Sequence, residues 1–109
     1  MATLSQWLFA FAFTQLIEVP IYRRVLGCGF ARAFGASALT HPVVWFVIFP
    51  ASSLDYTQTA ICSEIFAWLA EAAYFAPTFG VRRALSAAFI ANAASCLLGL
   101  LSRRLFGAP

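Results

Sequence analysis

Charge is scarce in this chain, and lysine is missing altogether. Only 10% of the 109 residues are charged, whereas a soluble domain covers its surface with about 25%. An ordinary water-soluble fold is therefore excluded. The 62% apolar content and mean hydropathy of +0.84 point to an integral membrane protein. The net charge of +3 is carried by arginines in short clusters between apolar runs, as expected of interfacial flanks and not of a nucleic-acid-binding surface. Cysteine occurs only at Cys28, Cys62 and Cys96, with no CxxC spacing, so no disulfide framework is expected. The N-terminus lacks the basic start and cleavage site of a signal peptide. Its apolar run continues past Gln15 and Glu18 to Pro20, and it is expected to be retained.

Four apolar runs are present, at about 4–22, 30–50, 58–77 and 84–102. Each is long enough, at about 1.5 Å per residue, to cross a bilayer core of about 30 Å. The expected fold is all-α: one transmembrane domain, residues 1–109, built as a four-helix bundle. Trp7 marks one interface of the first span, and Tyr22 with Arg23 and Arg24 the other. Gln15, Glu18 and Tyr22 make a polar stripe, with Pro20 predicting a kink beside Glu18. Gly27-Cys28-Gly29 reads as a tight connection, and Thr40-His41-Pro42 predicts a helix break.

The third run carries Glu64 and Glu71, two of the four acidic residues. Seven residues bring a helix back to nearly the same direction, so both carboxylates share a face, with Trp68 between them and Tyr74 one turn on. A carboxylate in a bilayer must meet protein, water or a partner, so this face is expected to point inward. In the fourth run Ala88, Asn92, Ser95, Gly99 and Ser102 step by four and three. Such a small, weakly polar face lets helices approach closely, and it is expected to pack on the bundle or across a dimer.

Counting along the helical rise from the arginine-bearing links puts Glu18 about 6 Å deep, Glu71 about 10 Å, and His41 and Asn92 about 15 Å. Glu64 lies deeper, at about 20 Å. Three readings of this cluster stay open. The polar groups fix helix register by bonding one another. Alternatively, Glu64 and Glu71 are successive groups of a proton or cation pathway, with His41 titrating between them. The third is a metal site of His41 with Glu71 and Glu18, for which the spacing signal is weak because no ligand pair lies on one helix. Ser63, Ser95 and Thr40 lack a nucleophile-elbow context, so catalysis finds little support. No cofactor is implied. Trp45, Phe46 and Phe49 read as lipid-facing or interfacial aromatics, not as a ligand box.

Through Glu18-Val19-Pro20, Thr40-His41-Pro42-Val43-Val44-Trp45, the Glu64 to Glu71 segment and Ala91-Asn92-Ala93-Ala94-Ser95, the chain resembles a group of small bacterial four-span membrane proteins. That resemblance implies the fold and brings no function with it. In length, span number and a first-helix glutamate the chain is also superficially similar to small multidrug resistance transporters. It departs from them in having three intramembrane glutamates and a histidine, in the late position of Glu18, and in its fourth span. No functional residue is carried over.

Two functions follow as expectations. One is a proton- or cation-coupled transporter or conducting unit. The other is a structural or accessory subunit that packs against a larger membrane partner. The expected surroundings are the lipid bilayer of the cell inner membrane and a homo-oligomer or larger complex, with no nucleic acid. Five arginines in the first and third links, against two at the C-terminus, place those links inside and both termini outside.

Overall fold

The structure is a computed structural model and describes residues 3–107. Four helices run through it, and no strand occurs among the described residues. They are α1 (Leu4–Leu26), α2 (Phe30–Ala51), α3 (Tyr56–Phe79) and α4 (Val81–Phe106). Consecutive helices are antiparallel neighbours, and α1 also packs on α4, closing a ring about 37 Å along its longest axis. Helices α1, α2 and α4 are long and apolar enough to cross a membrane. The 24-residue α3, which carries Glu64 and Glu71, is as long but is not among them.

Local chemistry explains each helix end. Thr3 caps α1 with its hydroxyl on the Gln6 N–H, and the Gln6 side chain answers in a capping box. Gly27 ends α1 in the left-handed region, at φ 71°. Asp55, read from sequence as part of a polar link, is the N-cap of α3 and accepts from the Gln58 N–H at 2.8 Å. It starts that helix two residues earlier than its apolar pattern does. Gly80 alone joins α3 to α4, at φ 87°, a backbone region that glycine adopts without steric cost.

Neither Pro20 nor Pro42 breaks its helix. Helix α1 continues unbroken past Pro20 to Leu26. The break expected at His41 is absent, because the Val44 N–H bonds both the Thr40 and His41 carbonyls and resumes the ladder just after Pro42. The irregularity falls later, at Val44–Ile48. There the ladder widens into a π-helix and the Phe49 N–H reaches back to Val44.

The packing is inverted relative to a soluble bundle. Long apolar side chains such as Leu16, Leu97 and Phe106 point outward. The interior holds alanines, together with Tyr22, Phe75, Glu18, Glu71 and Ser37. Small residues allow close helix approach where lipid offers no hydrophobic drive between helices. The tightest packing fills the end that holds the 27–29 link and Gly80, where Val19, Tyr22, Leu26, Ala36, Phe75, Ala84 and Ala88 form one buried cluster. Two arginines clasp this end. Arg83 donates to the Val25 and Leu26 carbonyls at the C-terminus of α1. Arg32 donates to Thr78 Oγ1 at 2.8 Å and lies 5.4 Å from the Tyr74 ring centroid.

Of the predicted packing face on α4, Ala88 and Asn92 are buried, Ser95 half-buried, and Gly99 and Ser102 lie toward the open end. A Cβ added at Gly99 would meet only Phe13, at 3.9 Å, so close approach is not what this glycine provides within the bundle. The tight glycine is Gly35 instead, whose Cβ would sit 2.5 Å from the Tyr74 hydroxyl. That hydroxyl donates to the Arg32 carbonyl at 3.0 Å and cannot yield without losing the bond. Gly35→Ala should therefore destabilise the fold by about 1–3 kcal/mol, as overpacking does, while Gly99→Ala is neutral. Thermal unfolding in detergent checks this, and adding Tyr74→Phe to Gly35→Ala should recover most of the loss.

Candidate functional site

At the centre of the bundle two carboxylates are held by hydroxyl and amide donors from the helices around them. Glu18, on α1 and 2% exposed, accepts from Ser37 Oγ of α2 and Ser95 Oγ of α4, each at 2.5 Å. Glu71, on α3 and 1% exposed, accepts from Thr40 Oγ1 at 2.6 Å, from Asn92 Nδ2 at 3.2 Å and from the Tyr22 hydroxyl. The two carboxylates share their flanking helices, with donors to each on both α2 and α4. This arrangement follows from helix periodicity. Glu18 and Tyr22 are one turn apart on α1, as are Ser37 and Thr40 on α2 and Asn92 and Ser95 on α4.

Asn92 therefore joins Glu18 and Glu71, but His41 does not. Its Nδ1 accepts from Trp7 Nε1 at 2.9 Å. An indole N–H only donates, so the histidine proton sits on Nε2, which faces Thr14 Oγ1 at 3.3 Å. With both nitrogens so engaged, the metal site of His41, Glu71 and Glu18 is not assembled, and no group of three metal-ligating side chains occurs among the described residues. The three cysteines are free.

Glu64 and Glu71 have different surroundings despite sharing a helix. Glu64 is half-buried and has no hydrogen-bond partner among the described residues. Trp68, between them, turns to α4 and donates to the Leu85 carbonyl at 2.9 Å. Tyr74 turns the other way, to α2. Tyr22, expected at the interface beside the arginines, is instead fully buried and serves as a donor. Ser37 and Thr14 were not singled out in the sequence. The stripe Ala33, Ala36, Ser37, Thr40 on α2 is the signal that marks its inner face.

Away from the packed end the bundle opens into a cleft of about 1610 Å³, larger than the usual small-molecule pocket of about 300–1,000 Å³. All four helices line it. Glu18, Thr40, Glu71, Asn92 and Ser95 lie at its deep end, His41, Ser63, Glu64 and Cys96 midway, and Ser5, Tyr56 and Arg103 at its mouth. Trp45, Phe46 and Phe49, expected to face lipid or the interface, also line it. The Trp45 ring stacks 6.0 Å from His41, and Phe49 lies 5.5 Å from Tyr56. The widened π-helical turn carries Trp45 and Phe46. No family model, curated protein or solved structure matches the chain.

The hydrogen bonds around Glu71 make its role in folding testable. In Glu71→Gln the amide oxygen can accept from Tyr22 and Asn92, and the amide N–H₂ can donate to Thr40. The Thr40 hydroxyl can then turn to the Ala36 carbonyl, 3.4 Å away. Glu71→Ala leaves the buried Tyr22 hydroxyl without an acceptor, reduces Thr40 and Asn92 to the Ala36 and Ala88 carbonyls of their own helices, and opens a cavity. Unfolding in detergent should show Glu71→Gln close to wild type and Glu71→Ala destabilised by on the order of 3 kcal/mol or more.

Proposed function

We propose that the chain is a four-span inner-membrane transporter or conducting unit in which protons on Glu18 and Glu71 are coupled to a cation held in the cleft. The observation that carries this reading is a cleft open at one end and reaching a buried carboxylate pair at the other. A purely structural cluster needs no path from outside. Two interacting carboxyls can share one proton, and a cation arriving in the cleft competes for the same negative charge. The fourth span is α3, whose carboxylates face the bundle and cleft, where their desolvation is met by partners or water.

Orientation follows from the arginines. The packed end carries Arg23, Arg24, Arg32, Arg82 and Arg83, and the open end carries Arg103 and Arg104 with Asp55. The packed end is cytoplasmic in this reading, and the cleft opens to the other side with both termini. Cysteines introduced at Leu26 and Val81 should be labelled only by reagents that reach the cytoplasm, and one at Ser53 by impermeant external reagent. The reverse pattern refutes the orientation and leaves the four spans intact.

The complete pairing of Glu18 and Glu71 also favours the accessory-subunit reading, in which the cluster fixes helix register and the outer face docks on a larger partner. Reconstituted vesicles separate the two. A coupled carrier shows pH-driven flux that disappears in Glu71→Gln and in Glu18→Gln while both variants remain folded. Wild-type vesicles with no proton- or cation-dependent flux across a broad panel would sink the transport reading in favour of the subunit.

A further inference from the structure

The midsection of the cleft differs from its deep end in leaving polar groups unmet. Ser63 is 3% exposed and lines the cleft, and its buried Oγ has no hydrogen-bond partner. A helical serine ordinarily returns its hydroxyl to a carbonyl one turn back, so a bare one beside a cavity marks a missing partner. Glu64, the next residue, lines the same cleft and is the carboxylate with no donor among the described residues. Trp45, Phe46 and Phe49 line the same cleft.

We infer that this midsection binds a protonated organic amine with an apolar body, its ammonium on Glu64 and Ser63 and its body against the aromatic wall. The inference rests on the transport reading above, since it names what the same cleft holds. Charge selects a cation. Among the described residues Arg103 is the only arginine lining the cleft, and it is held at the mouth by Tyr56, with Nη1 2.5 Å from the hydroxyl and the guanidinium 4.9 Å from the ring. A bare metal ion needs several oxygen or nitrogen ligands, and Glu64 belongs to no group of three such side chains among the described residues. An ammonium needs fewer. It donates N–H bonds to one carboxylate and one hydroxyl, and aromatic faces attract its charge. The unmet Ser63 hydroxyl further selects a cation that still carries N–H, which a quaternary ammonium does not.

The test is calorimetric titration of the full chain in nanodiscs with phenethylamine, the neutral phenethyl alcohol and the N-trimethylated quaternary analogue. Phenethylamine should bind saturably, and the other two about tenfold more weakly, since hydrogen bonds to a charged group are lost. Ser63→Ala should weaken the amine about tenfold and leave the quaternary compound unchanged. Glu64→Gln should abolish amine binding, and if that variant does not fold, Ser63→Ala decides. Equal binding of the amine and quaternary compounds, or amine binding indifferent to Ser63→Ala, overturns the inference. Amine binding without any flux in vesicles leaves the inference standing and removes the transport reading. Proton-driven flux with no amine binding does the reverse.

Discussion

The desolvation of two carboxylates governs this molecule. Bringing Glu18 and Glu71 out of water costs several kcal/mol each unless the charge or its proton is met. Five side-chain donors, drawn from α1, α2 and α4, meet them. That requirement sets the register of every helix pair at once. Ser37 and Thr40 must face the axis together, which turns the small residues Ala33 and Ala36 inward beside them. Asn92 and Ser95 do the same for α4, and Ala84, Ala87, Ala88 and Ala91 follow into the interior. The alanine core is thus a geometric consequence of polar pairing as much as a packing device of its own.

The same constraint divides the bundle into two halves of different character. Toward the arginine-bearing links, the rings of Tyr22 and Phe75 lie 4.6 Å apart and fill the space between alanine faces. Toward the chain ends, bulky aromatic residues on α1 and α2 hold the helices apart, and the cleft follows. The widened turn at Val44–Ile48 lies in this second half. A cluster that joined both halves symmetrically would be sealed. Here the carboxylates sit where tight packing ends and open space begins.

Helix number, approximate bounds and the inward direction of Glu71 were legible in the sequence, because each rests on apolar run length or on the cost of a buried charge. Asn92 was legible through the four-and-three step of small residues that marks its face of the helix. The separation of His41 from the carboxylates was not, since depth counted along a helix says nothing of azimuth. His41 and Thr40 are adjacent, so they point about 100° apart, and only Thr40 meets Glu71. The burial of Tyr22 was hidden by its neighbours Arg23 and Arg24, whose charge suggested an interface. The cleft itself depends on side-chain bulk across helix pairs that no single-helix pattern encodes. The roles of Arg32 and Arg83 as clasps were hidden likewise, since their partners lie more than 40 residues away.

Gly80 has a bearing on how the chain reaches the bilayer. It is the whole of the joint between α3, which is not among the candidate spans, and α4, the most apolar of the three that are. A single-residue joint leaves the two helices no freedom to partition separately. In the four-span reading they enter as one hairpin, with Asn92 already opposite Glu71 and Trp68 already bonded to the Leu85 carbonyl. Glu71 then crosses into hydrocarbon with a partner beside it, and the apolarity of α4 offsets what α3 lacks. In that reading insertion is a two-helix event, with α3 carried in by its neighbour.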